Sequence, residues 1–187
     1  EKLLKEVPYQ KFLNLAVVAY YKVDDEMIGK ATILVRKSHC QSWGVEEDEV
    51  IQCARENTLK ILPVRFMGIG AMLETYGYHQ ETTIPMYILT NEETCFGAAS
   101  MMFDSVLERI GKMLKDDFWI LPSSIHECII VPAGCAMSPD EMTDLVKEVN
   151  QKEVSAEEYL SDQIYYYQVT MHSLAGVEVC SCGEGES

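Results

Sequence analysis

The feature that most limits what this chain can fold into is the shortness of the connections between its apolar, β-rich segments. Residues 117–121 (DFWIL) and 127–131 (ECIIV) are separated only by Pro122 to His126, and residues 86–90 (MYILT) are followed within a few positions by the apolar run 97–103 (GAASMMF). A parallel pair of strands needs a crossover of about a dozen residues or more, so strands joined this closely pair antiparallel. The chain therefore reads as hairpins with helices interspersed, not as a βαβ array.

Along the chain, residues 12–22 (FLNLAVVAYYK) form too continuous an apolar run for a half-exposed strand and predict one central strand covered on both faces. A turn from Asp24 to Gly29 leads to a second strand over 30–36 (KATILVR), making a hairpin. A helix is predicted over 46–62: acids crowd its first turn, where the helix dipole favours them, and Pro63 ends it. Residues 64–83, with Gly68, Gly70 and Gly77, read as a connection holding a short helix over 69–75. Strands are predicted over 86–90 and 97–103, with a turn at Asn91–Thr94. Ser105 and Glu108 have capping-box spacing ahead of Val106, Leu107, Ile110, Met113 and Leu114 at helical period. Ser138 and Glu141 form a second box, with Pro139 at the first helical position and Met142, Leu145, Val146 and Val149 on one face. Ser155 and Glu158 open one more short turn of helix, residues 163–169 (QIYYYQV) predict a last strand, and the tail after Gly176 reads as mobile. The order ββα(α)ββαββαβ is that of an α+β fold: a mostly antiparallel sheet of about seven strands with about three to four helices packed on it. No repeat or low-complexity linker interrupts it, so residues 1–176 read as a single domain.

Charge removes several functions. The formal net charge is −15, and the fifteen Lys and Arg residues are scattered, with no run longer than Arg36-Lys37. Nucleic-acid affinity rests on Lys and Arg displacing counterions, so neither nucleic acid nor an anionic membrane is expected as a partner. The acidic clusters Asp24-Asp25-Glu26 and Glu46-Glu47-Asp48-Glu49 read as a solvated face and helix N-termini. None has the alternating ligands, central Gly and closing Glu of a calcium loop. The seven cysteines are odd in number and sit mostly in apolar stretches, which suits reduced thiols in a cytoplasm better than a disulfide framework. The longest apolar run, Leu15 to Tyr21, is far short of the ~20 residues that span a bilayer. Glu1 opens helix-forming sequence at once, as in the later part of a longer protein.

Chemistry-bearing residues concentrate in Pro122-Ser123-Ser124-Ile125-His126-Glu127. Two hydroxyls, an imidazole and a carboxylate suggest a hydrolase, in which a base activates a nucleophile and a third group holds the base. Strand alternation points His126 and Glu127 to opposite faces, however, and Pro-Ser-Ser is also ordinary turn chemistry, with hydroxyls capping backbone groups. A hydrolase would have to be assembled across the fold, from Ser123 or Ser124, His126, His39, Asn91 and Glu127. His39 and Cys40 lack the paired spacing that announces zinc, and Cys180-x-Cys182 is a lone pair of non-standard spacing, so no metal is expected. Cys95 is flanked by Glu92 and Glu93, which oppose thiolate formation, and reads as structural. Gly68-Ile69-Gly70 lacks the rest of a phosphate loop, and no cofactor is expected. Tyr165-Tyr166-Tyr167 has no basic company for stacking on bases and reads as an edge strand whose rings can meet a partner, including a second copy of the chain.

The stretches PMYILTNEETCFGAASMMFDSVLERI, DFWILPSSIHECIIVP and LVKEVNQKEVSAEEYLSDQIYYY, with LLKEVPYQKFLNLAVVAYYKV, ATILVRKSH and ARENTLKILP, resemble an uncharacterised bacterial domain-of-unknown-function family common in gut anaerobes. The likeness runs from Leu3 to Tyr167, and the 64–83 connection and the tail after Gln168 depart from it. It implies a cytoplasmic bacterial protein and a further N-terminal region, and brings no activity, cofactor or catalytic residue. The expectation is thus a non-catalytic binding or interaction module for a protein or small ligand, with a hydrolase sited at the 122–127 hairpin as the competing reading.

Overall fold

The computed structural model describes residues 2–25, 29–70, 84–122, 124–135 and 137–177. The chain groups into two compact units, residues 1–63 and 64–187.

In the first unit, a 3-10 turn (Leu3–Lys5) precedes β1 (Tyr9–Phe12) and β2 (Leu15–Val18), and a second ladder joins β3 (Tyr20–Asp25) to β4 (Gly29–Leu34). The single strand expected over 12–22 is therefore divided among three, the end of β1, β2 and the start of β3, and it is not sheathed on both faces. Leu13 adopts a left-handed φ of 54°, so the chain reverses at Leu13-Asn14 and Phe12 pairs with Leu15. The apolar run reflects consecutive strands, which periodicity cannot separate. The β3–β4 hairpin holds as expected, with Tyr20 opposite Leu34 and Asp25 opposite Gly29, the latter at φ 80°. Helix α1 (Lys37–Trp43) was not predicted, whereas α2 (Glu47–Ile61) matches its expectation. Glu46 caps α2, with its own N–H donating to Glu49 Oε2 at 3.1 Å. Ala19, Val35, Cys40 and Ile51 form the small buried core of this unit.

The second unit is built on a six-stranded sheet, ordered β10-β9-β7-β8-β6-β5 and antiparallel at every pairing: β5 (Val64–Gly68), β6 (Tyr87–Asn91), β7 (Phe118–Pro122), β8 (Cys128–Pro132), β9 (Tyr165–Gln168) and β10 (Ser173–Gly176). The 69–75 helix expectation falls, from residue 71 on, outside the described residues, as does the tail from 178. Register divides the sheet into two faces. Trp119, Leu121, Ile129 and Val131 share one, where Leu121 and Val131 pack on Met142 and Val146 of α4 (Pro139–Lys152). Phe118, Ile120, Cys128, Ile130, Tyr165 and Tyr167 share the other, where Cys128 Sγ lies 3.7 Å from Met101 Sδ. Burying a large apolar side chain of this kind contributes about 1.5–3 kcal/mol, and the centre of the sheet holds several.

Four expectations change here. Residues 64–68, read from the sequence as part of a connection, form the strand β5 and pair with β6. Residues 97–102 form a 3-10 turn, Gly97–Met102, not a strand. Left-handed Thr94 (φ 51°) and Phe96 (φ 56°) turn the chain off the sheet before Gly97, and the segment packs its small residues onto β6. Helix α3 (Asp104–Leu114) begins before Ser105, with Phe103 as its uncapped N-terminal residue, so Ser105-Glu108 is not a capping box. The tyrosine strand is not an edge. β9 lies between β7 and β10, and Tyr165 and Tyr167 are fully buried, because an unpredicted strand, β10, covers its outer side. The Ser138 box is present as read: Glu141 N–H donates to Ser138 Oγ, and Ser138 N–H donates to Glu141 Oε2 at 2.7 Å.

Candidate functional site

His126 occupies the turn between β7 and β8, and its surroundings come from three separate segments. Its ring Nδ1 accepts the Phe96 N–H at 3.1 Å. That nitrogen therefore carries no proton, and Nε2 holds the ring hydrogen, facing Glu158 Oε1 at 3.5 Å. The Phe96 and His126 rings stack with centroids 5.6 Å apart and planes 27° from parallel. The main chain is tied down as well. His126 N–H donates to Ser124 Oγ at 3.0 Å, the His126 carbonyl accepts from Thr90 Oγ1 at 2.8 Å, and Ile125 N–H donates to the Glu158 carbonyl at 2.9 Å.

The loop that carries Phe96 is organised by Asn91, a buried residue at the end of β6. Its Nδ2 donates to the Cys95 carbonyl at 2.7 Å, and its Oδ1 accepts from the Glu93 and Cys95 N–H groups. A short amide that binds its own following loop is what lets two consecutive left-handed excursions persist. Gly97 then passes so close to β6 and the 122–127 turn that a β-carbon there would stand 2.5 Å from the His126 carbonyl oxygen and 2.8 Å from the Asn91 nitrogen.

Each sequence candidate can now be placed. Asn91, Ser124 and His126 come together around the Phe96 loop and the 122–127 turn. Ser124 Oγ serves the backbone N–H of His126, not its ring, and Asn91 spends its amide on the loop. Ser123 lies outside the described residues. Glu127 takes the Ser124 N–H on its carbonyl at 3.2 Å. Its charge adds to the burial that pushes the neighbouring Cys128 thiol up to about 12. His39 belongs to the other unit, where its Nδ1 accepts the Arg36 N–H at 3.3 Å and its ring meets Tyr21 and Trp43 at 6.1 and 5.5 Å. Among the described residues, no three His, Cys, Asp or Glu side chains gather as a metal ion would require. No described helix is long and apolar enough to cross a membrane.

Sequence reading missed Phe96, Thr90 and Glu158 as partners of His126. Glu158 carried a local signal, its spacing from Ser155, and its N–H does donate to Ser155 Oγ at 3.3 Å. Nothing local signals that its carboxylate meets an imidazole 32 positions earlier (158 − 126).

No curated protein and no solved structure matches this chain. A family model does, over residues 1–169 of the 187, and the chain belongs to that family, described as a family of unknown function (DUF5688).

Proposed function

We propose that this chain is a non-catalytic binding or interaction module of a bacterial cytoplasm, with a protein or small ligand as its partner. The observation that carries this reading is the commitment of the His126 ring. A general base needs a free nitrogen within reach of the proton it abstracts, and Nδ1 is occupied by a backbone N–H. The serine that sequence reading paired with it serves a backbone N–H instead. The acidic balance supports a partner other than nucleic acid. Cys40, Cys53, Cys128 and Cys135 are free thiols, which supports a reducing compartment. Large apolar side chains stand exposed in residues 1–63, among them Trp43, half exposed, and Tyr9, Tyr20 and Ile61; exposed rings and aliphatic groups favour protein contacts. Self-association by strand addition would use β5 or β10, the outermost described strands of the large sheet.

One observation favours the hydrolase reading: a carboxylate, Glu158, stands behind Nε2 where a base-orienting group belongs. The two readings separate experimentally. The intact chain is used as bait with in-cell crosslinking and is assayed against ester, amide and phosphoester substrates, beside its His126→Asn variant. A specific, saturable partner and no His126-dependent turnover is the expected result. Turnover that disappears in His126→Asn, or a reproducible absence of any partner, overturns the proposal.

A further inference from the structure

We propose that His126 is a proton-operated latch: neutral, it holds the 92–96 loop closed through the Phe96 N–H, and a second proton on its ring releases that loop. The closed arrangement requires Nδ1 to act as an acceptor, which only the neutral imidazole provides. Protonation puts a hydrogen on Nδ1, opposite the Phe96 hydrogen at a heavy-atom separation of 3.1 Å. Two donors cannot share that position, so one must leave.

The surroundings decide which one moves. Glu158 lies 3.5 Å from Nε2 and holds the imidazolium in place. The other ionisable groups on the three converging segments are Glu127 and Cys128, next to His126 in sequence, Glu92, Glu93 and Cys95 on the loop, and Glu153, Glu157 and Tyr159, next to Glu158 in sequence. No Lys or Arg occurs in residues 91–98, 122–128 or 153–160. The imidazolium keeps Glu158 at Nε2, whereas at Nδ1 the Phe96 N–H then faces a second donor, so the loop is the element that yields. The His126 side chain is 30% exposed, so a proton reaches it from solvent.

The loop is built to yield. Thr94 and Phe96 both hold left-handed backbone that costs energy for residues with a β-carbon, and release lets them relax. The boundary of the movement is set by Gly97, wedged against Thr90 and the His126 carbonyl, and by the Ala98 N–H, which donates to the Ile125 carbonyl at 3.3 Å. Opening thus unstacks the Phe96 ring from the imidazole and presents it, while the 3-10 turn behind it stays docked.

The test is amide hydrogen exchange of the intact chain, read as protection at Phe96, between about pH 5 and pH 8, alongside the NMR titration of the His126 ring. Wild type is expected to lose about tenfold in protection per pH unit once the ring takes its proton, since one proton is bound on opening. In His126→Asn, the amide oxygen takes the place of Nδ1 and does not titrate, so protection is expected to persist without that slope. In His126→Ala it is expected to be low throughout. Protection at Phe96 that stays flat while the ring titrates, a ring that shows no titration in this range, or a slope that survives in His126→Asn overturns the latch.

Discussion

Gly97 passes the carbonyl of His126 so closely that a β-carbon on it would lie 2.5 Å from that oxygen, with Asn91 N at 2.8 Å on another side. Both obstacles are backbone atoms of ladder and turn, which cannot swing aside as a side chain would. Gly97→Ala is therefore expected to destabilise the chain by at least about 2 kcal/mol, read from the urea midpoint. A loss of only a few tenths would mean that the loop and the 122–127 turn do not meet this closely in solution.

Gly111, on the inner side of α3, presents a softer version of the same problem. A β-carbon there would stand 2.6 Å from Val169 Cγ2 and 3.3 Å from Cγ1, beyond the end of β9. Alanine gains about 1 kcal/mol in helix propensity over glycine, and overpacking costs about 1–3. The expected net result is a modest loss for Gly111→Ala. Its cost should shrink or reverse when Val169→Ala is present, a non-additivity that a double-mutant cycle measures directly.

Ser138→Ala removes the hydroxyl that caps α4 and is expected to cost about 1 kcal/mol by thermal or urea unfolding. The reciprocal partner gives a pH signature. The Ser138 N–H and then its hydroxyl hold the Glu141 carboxyl below the usual carboxylate range. A lowered folded value means that the stabilisation is complete above the ordinary carboxylate range and is lost as pH falls through the folded value. Wild type should therefore exceed Glu141→Gln in stability at neutral pH, and the gap should close as pH falls below the ordinary carboxylate range. A gap that widens on acidification would contradict the assignment.

Thiol reactivity should follow burial. The Cys128 thiol is pushed up to about 12, chiefly by burial and secondarily by Glu127, whereas Cys53 is exposed. Iodoacetamide at neutral pH is expected to label Cys53 in the folded chain and to reach buried Cys40 and Cys128 only after unfolding, as peptide mass spectrometry would report. Prompt native labelling of Cys128 would place the sheet differently from the packing described.

The sequence was most legible where one local pattern sufficed. Helices α2 and α4, the β3–β4 hairpin and the β7–β8 hairpin all appear where period, caps and turn residues put them. It misled where a local pattern has two solutions. Residues 97–102 are apolar enough for a strand, but left-handed Thr94 and Phe96 carry them off the ladder. The tyrosine run alternates as an edge would, yet β10 pairs on its open side and buries it. Of the candidate site, the hairpin and its serine turn chemistry were visible beforehand. The identity of the groups around His126 was not.

By itself, the sequence determined the β3–β4 and β7–β8 hairpins, whose connections are too short for parallel pairing, and the amphipathic helices that need a sheet to cover. It also determined the acidic balance of the chain, a formal net charge of −15. Only the tertiary structure decided the strand order, which strands lie inside the sheet, and that the His126 ring is held by Phe96 and Glu158. The reason is physical. Periodicity and capping are properties of neighbours in sequence, whereas a hydrogen bond between residues about thirty positions apart depends on how the whole chain closes.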